Sequence, residues 1–158
     1  MGMIGCYMAL DLIDIEKLAQ GHLQPEDLDF DNERRLDIDK AWQGIHFWLC
    51  EELYDGAPPQ GYIVPMRADQ ALLLEPYGAF YLYPQQVQQA VDWLDTMNEE
   101  QLRLLYRFSD MVSDEIYPIF EGEDEQEFYN YLHEYLLEIQ KFYKQVAAAE
   151  QGVVFYIS

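Results

Sequence analysis

Basic residues are scarce in this chain. Nine Lys and Arg stand against thirty Asp and Glu, for a formal charge of −21. Nucleic-acid phosphates and anionic lipid head groups are bound by clustered cations, so direct nucleic-acid binding is not expected. Cysteine is scarcer still. Cys6 and Cys50 lie far apart, which leaves neither a disulfide framework nor a CxxC pair, and free thiols in a reducing cytoplasm are the expectation. No apolar run approaches the roughly 18 residues that cross a bilayer, and the first residues lack the basic-then-apolar order of a secretion signal. Gly2 is followed by Cys6 where a myristoylation motif needs Ser or Thr, so no membrane anchor is expected. Glycine-rich phosphate loops, HExxH and GxSxG are also missing, which removes the most readily recognised enzyme classes.

What is present argues for a folded domain. Half of the 158 residues are hydrophobic and 15% are aromatic, including 13 Tyr and 3 Trp, enough for one self-sufficient core. Residues 3–10 read as a buried strand, and residues 14–21 as a short helix stopped by Gly21. Residues 24–33, acidic and holding Pro25, read as a loop or one helical turn. From Asp39 onward, Trp42, Ile45, Leu49 and Leu53 recur at helical spacing, with Asp37 as the expected cap. Residues 55–61, with two prolines and two glycines, read as a surface loop. Residues 78–83 read as a strand, with Pro84 at the first position of the following helix. Asn98 and Gln101 have the spacing of a capping box, opening a second helix of a hairpin.

The longest periodic segment runs from Glu123 to Val146, with Phe128, Leu132, Tyr135, Ile139, Phe142 and Tyr143 along one face. Its acidic start complements the helix dipole. Residues 153–157 read as a final strand beside the first. The fold expected is a single α+β domain over residues 1–158, with a small mixed or antiparallel sheet packed with about five helices.

The residues capable of chemistry concentrate between positions 34 and 50. On one helix, Asp39, Gln43, His46 and Cys50 would form a stripe, with His46 as an acid or base and Asp37 or Asp39 orienting it. His46 and Cys50 have workable spacing for two metal ligands, but no third ligand motif accompanies them, and no metal or other cofactor is expected. Cys50 as a nucleophile lacks an identifiable oxyanion hole. A core histidine satisfied by a backbone carbonyl is the plainer use of His46. Arg34, Arg35 and Lys40 suggest a local ion-pair network, Arg34 or Arg35 is an anion-binding candidate, and Arg35 and Lys40 are binding candidates. Tyr117, before Pro118, offers a ring and a hydroxyl. Trp42, Gln43 and Tyr117 complete the binding candidates.

The run Leu36, Asp37, Ile38, Asp39, Lys40, Ala41, Trp42, followed by Gly44, Ile45, His46 and Phe47, resembles the signature of the YfbM-like family, a bacterial domain of unknown function. Supporting matches are residues 1–5, Tyr77 and Gly78, the stretch Tyr83, Pro84, Gln85, Gln86, Val87, and Glu115 to Pro118. The resemblance implies a fold and no activity. Where the family pattern has histidine this chain has Gln43, so a role resting on an imidazole there is not carried over.

Three functions compete. The first is a non-catalytic acidic module of the immunity or antitoxin type, with a basic protein as partner. The second is a small-molecule or hydrolytic pocket around His46. The third is a structural or assembly role.

Overall fold

The computed structural model describes residues 2–158. Its strands are β1 (Gly5–Leu10), β2 (Arg35–Asp37), β3 (Ala71–Leu72), β4 (Ala79–Leu82) and β5 (Gly152–Ile157). Its α-helices are α1 (Leu12–Ala19), α2 (Trp42–Cys50), α3 (Pro84–Thr96), α4 (Glu99–Leu105), α5 (Phe108–Ser113) and α6 (Glu125–Ala148). One sheet runs in the order β2-β1-β5-β4-β3, antiparallel at every junction.

The first and last strands form the centre of that sheet. Gly5 pairs with Ile157 and Leu10 with Gly152, and beyond the strands Ile4 and Ser158 exchange both backbone hydrogen bonds, at 2.8 and 2.9 Å. Strand alternation explains why both are buried on two sides. Tyr7, Ala9, Val153, Phe155 and Ile157 join the main core, which α2, α3 and α6 complete. Met8, Val154 and Tyr156 face the other way, where Ile15 and Leu18 of α1 cover them. Every residue of β5 is consequently buried.

The loop at residues 62–66 is also buried, although it contains no regular strand. Its backbone carbonyls supply partners for core hydroxyls: Tyr7 donates to Ile63 O at 2.6 Å and Tyr143 to Tyr62 O at 2.8 Å. Both phenols are held well above their ordinary pKa by burial, so they remain neutral donors. Trp48 likewise donates to Leu102 O at 2.8 Å.

Helix boundaries follow local chemistry. Asn98 accepts from Gln101 N at 2.8 Å while the Gln101 side chain accepts from Asn98 N, a complete capping box for α4. Pro84 opens α3, and Asp124 caps α6 through Glu127 N at 2.8 Å. The segment expected as one helix from Asp39 to Leu53 is divided differently. Residues 35–37 pair with β1, Asp39 takes a left-handed φ of 51°, and the helix begins only at Trp42. Asp37 therefore does not cap it: its Oδ1 accepts from Asp39 N at 2.7 Å, turning the chain out of β2. Glu51, at φ 60°, ends α2, leaving Leu53 outside it and 38% exposed.

Candidate functional site

His46 is sealed inside the protein, with 1% of its surface exposed. Its Nδ1 lies 3.1 Å from Val64 O, and Nε2 has no hydrogen-bond partner among the described residues. No carboxylate orients the ring, contrary to the pairing expected with Asp37 or Asp39. Burial pushes its pKa down, opposed by the Val64 and Tyr54 carbonyls and by Glu52 and Asp55. The loop at 55–61 reaches the surface at Ala57 and Pro58, but Gly56, at φ 90°, is buried against the helix. A Cβ there would come within 3.0 Å of His46 Cε1 and 2.9 Å of Cys50 Sγ. That glycine closes the space a pocket around His46 would need. Cys50 is half-enclosed beside it, and burial followed by the charge of Glu52 pushes its thiol up to about 12. A thiol so placed is not a ready nucleophile at neutral pH.

Asp39 and Lys40 instead border an open cleft of about 360 Å³. They enter from the turn between β2 and α2. Pro118, Phe120 and Glu123 come from the segment before α6, and Glu127, Phe128 and Tyr131 from its first turns. The helical spacing of 127, 128 and 131 places those three side chains on one side of α6. Tyr131 fastens the two halves together: its hydroxyl donates to Asp39 Oδ2 at 2.7 Å and accepts from Lys40 N at 3.1 Å. Burial, then the bond to Asp39, raises the Tyr131 pKa, so its proton stays in that bond.

The remaining binding candidates form the support behind the cleft. Trp42 Nε1 donates to Met3 O at 2.9 Å, and Met3 N donates to the Tyr117 hydroxyl at 2.8 Å. Tyr117 N donates to Gln43 Oε1 at 2.8 Å, and the Trp42 and Tyr117 rings lie 5.9 Å apart. A Cβ on Gly2 would overlap the Lys40 stem and stand 2.6 Å from the Tyr117 hydroxyl, so the N-terminal residues thread tightly through this corner. Three of the segments carrying the family resemblance, within residues 2–5, 36–47 and 115–118, thus meet at one place.

Arg35 and Asp37 are turned away from it. Their neighbours are Cys6 and Tyr156, around a separate cavity of about 190 Å³ on the α1 face. The ion-pair network expected of Arg34, Arg35 and Lys40 does not form. Arg34 donates to Gln151 Oε1 and Arg35 Nε to Asn32 O at 3.0 Å, while the ion pairs among the described residues are Arg67–Asp69, Arg107–Glu51 and Lys144–Asp95. Among the described residues, no three His, Cys, Asp or Glu side chains are placed to share one metal ion.

Sequence reasoning missed Phe120, Phe128 and Tyr131 as cleft residues. Phe120 carried a signal: a large apolar ring between Pro118 and an acidic stretch, 63% exposed in the structure. Tyr131 carried none, because its partners lie about ninety positions earlier in the chain.

An antiparallel five-stranded sheet, covered on both faces and bordered by a small acidic and aromatic cleft, defines the class as an α+β domain. The sequence matches the family described as "Domain of unknown function (DUF1877)" over residues 1–156, and the chain belongs to that family. Among solved structures it is similar to YfbM from Escherichia coli, a protein of unknown function. The two share 22% identity and a TM-score of 0.76, with 98% of this chain and 99% of that chain covered, a likeness of fold. No curated protein sequence matches. No helix among the described residues is long and apolar enough to cross a membrane.

Proposed function

We propose that this protein is a non-catalytic acidic binding module, of the immunity or antitoxin type, that engages a basic protein. The observation carrying this reading is where the charge sits. The buried polar side chains are Gln43, His46, Gln70 and Gln151, so no described carboxylate lies in the core. Three of the thirty carboxylates, Asp69, Glu51 and Asp95, have a cationic side chain within ion-pair distance among the described residues. The surface is left with uncompensated negative charge, which speeds encounter with a positive partner and disfavours an acidic one.

The test is capture of partners from the native cell at low and then raised salt, followed by binding of the captured protein to a charge-reversed variant of the cleft rim. A single basic partner, released by salt and weakened at least tenfold by charge reversal, supports the module; about 1.4 kcal/mol corresponds to that factor. A partner held equally well after charge reversal refutes it. The pocket reading around His46 has no supporting geometry, because Gly56 and the 62–66 loop enclose that ring.

A further inference from the structure

We infer that the cleft between the β2–α2 turn and the start of α6 receives an arginine side chain of the basic partner. The inference rests on the acidic-module reading and gives it a point of contact. Three properties of the cleft select this occupant.

The first is its walls. Phe128 and Tyr131 lie nearly parallel, with ring centres 6.2 Å apart and planes at 25°, and Phe120 stands 63% exposed at the rim. An apolar ring left this open invites a flat group that stacks on it. The second is charge. Among the described residues, Asp39, Glu123 and Glu127 face one cation, Lys40, and none of these carboxylates belongs to an ion pair. Burial, then the charges of Glu127 and Asp124, already raises the pKa of Glu123, and an arriving cation would relieve that crowding.

The third is size. A volume of about 360 Å³ falls at the small end of ligand cavities, suited to one side chain rather than to a large cofactor. Guanidinium suits such a place better than ammonium, because it stacks on aromatic faces and offers forked donors to carboxylates. The protein already contains one such contact: Arg103 Cζ sits 4.1 Å from the centre of the Tyr129 ring.

The experiment measures fluorescence anisotropy of a labelled hexa-arginine peptide with the whole protein at low salt, alongside hexa-lysine and spermidine. Phe120→Ala should weaken hexa-arginine binding about two- to fivefold, the range for one exposed cation–ring contact. The double variant Glu123→Gln, Glu127→Gln should weaken it at least as much, and Lys40→Met should tighten it. The control Glu16→Gln, Glu26→Gln removes the same charge from exposed positions outside the cleft and should weaken binding clearly less than the Glu123→Gln, Glu127→Gln variant does, since remote charges act over a longer distance. Thermal melts check that each variant folds, and Phe120→Leu keeps an apolar side chain while removing the ring.

Hexa-arginine binding that is tighter than hexa-lysine and lost selectively in the cleft variants establishes the inference. Equal losses in the cleft and control variants overturn it while leaving the acidic module standing, since charge alone would then account for binding. Hexa-lysine binding as well as hexa-arginine rejects the guanidinium, and tighter binding of spermidine replaces the partner side chain with a polyamine. No binding of either peptide at low salt sinks both readings.

Discussion

Replacing Gly44 by alanine should destabilise the protein, although alanine is the better helix former. Gly44 lies inside α2, where the exchange alone is worth about 0.8–1.0 kcal/mol in favour of alanine. The structure supplies the opposing effect. A Cβ at this position would stand 2.7 Å from Leu132 Cδ2, 3.1 Å from Leu132 Cδ1 and 3.3 Å from Phe128 Cζ. Leu132 and Phe128 are 0% and 2% exposed, so neither has open space to retreat into. Overpacking a close-packed core costs about 1–3 kcal/mol, leaving a net loss of about 1 kcal/mol. For a chain of this size that lowers the melting temperature by about 2–4 °C.

The assay is urea unfolding followed by the fluorescence of Trp42, Trp48 and Trp93, repeated for Leu132→Val and for the double variant. Leu132→Val alone should cost about 1 kcal/mol through the cavity it leaves. Combined with Gly44→Ala it should cost at least 0.5 kcal/mol less, roughly the coupling seen between touching residues. A Gly44→Ala protein as stable as the parent, or strictly additive losses, would refute the claim that close helix approach dictates this glycine. Because Phe128 also walls the cleft, Gly44→Ala should weaken hexa-arginine binding as well.

Three further outcomes follow from buried polar groups. His46 has a folded pKa below 6.5, so between that value and its folded pKa the unfolded chain binds more protons and acidification destabilises the fold. Its contribution is complete above pH 6.5 and is lost as pH falls, so the parent should lose more stability than His46→Gln between pH 7 and about 5, measured by denaturation at each pH. Matching slopes would reject the effect. In a Cys6→Ser background, Cys50 should react with a disulfide reagent at neutral pH far more slowly than free cysteine, because its thiol is pushed up to about 12. A rate equal to free cysteine would contradict the burial argument. Tyr131→Phe should cost about 1.5–3 kcal/mol in urea unfolding by removing the donor to Asp39 and the acceptor for Lys40 N; a loss under about 0.5 kcal/mol would mean that water replaces both bonds.

Elements defined by local rules were legible beforehand. The two central strands announced themselves as β-rich apolar runs, α6 through a long 3.6-residue period, and α4 through Asn98 and Gln101. β2 was not legible, because its three residues have one partly buried side chain between two exposed ones and owe their conformation to the edge of β1. The same edge pairing explains the misplaced start of α2: Leu36 and Ile38 continue an apolar pattern, while the left-handed backbone at Asp39 breaks it. The two-residue β3 and the six-residue α5 are too short to show a period. At the site, Asp39, Lys40, Trp42, Gln43 and Tyr117 were separate candidates by residue type, and the structure places them around one corner. Helical spacing alone placed His46 among them, but it turns inward beneath Gly56, and that enclosure depends on a loop with no sequence period.

The pairing of β1 with β5 also orders events during synthesis. Tyr7, Met8 and Ala9 leave the ribosome well before the strand that covers their open edge, Gly152–Ile157. At about 5–20 residues per second, the nascent chain carries that apolar strand uncovered for on the order of ten seconds, with only β2 able to pair earlier. The sheet's centre therefore closes only once Gly152–Ile157 has been made. Mutual repulsion between the surface carboxylates of nascent chains would disfavour their association while these strands are unpaired, until the six-residue β5 arrives.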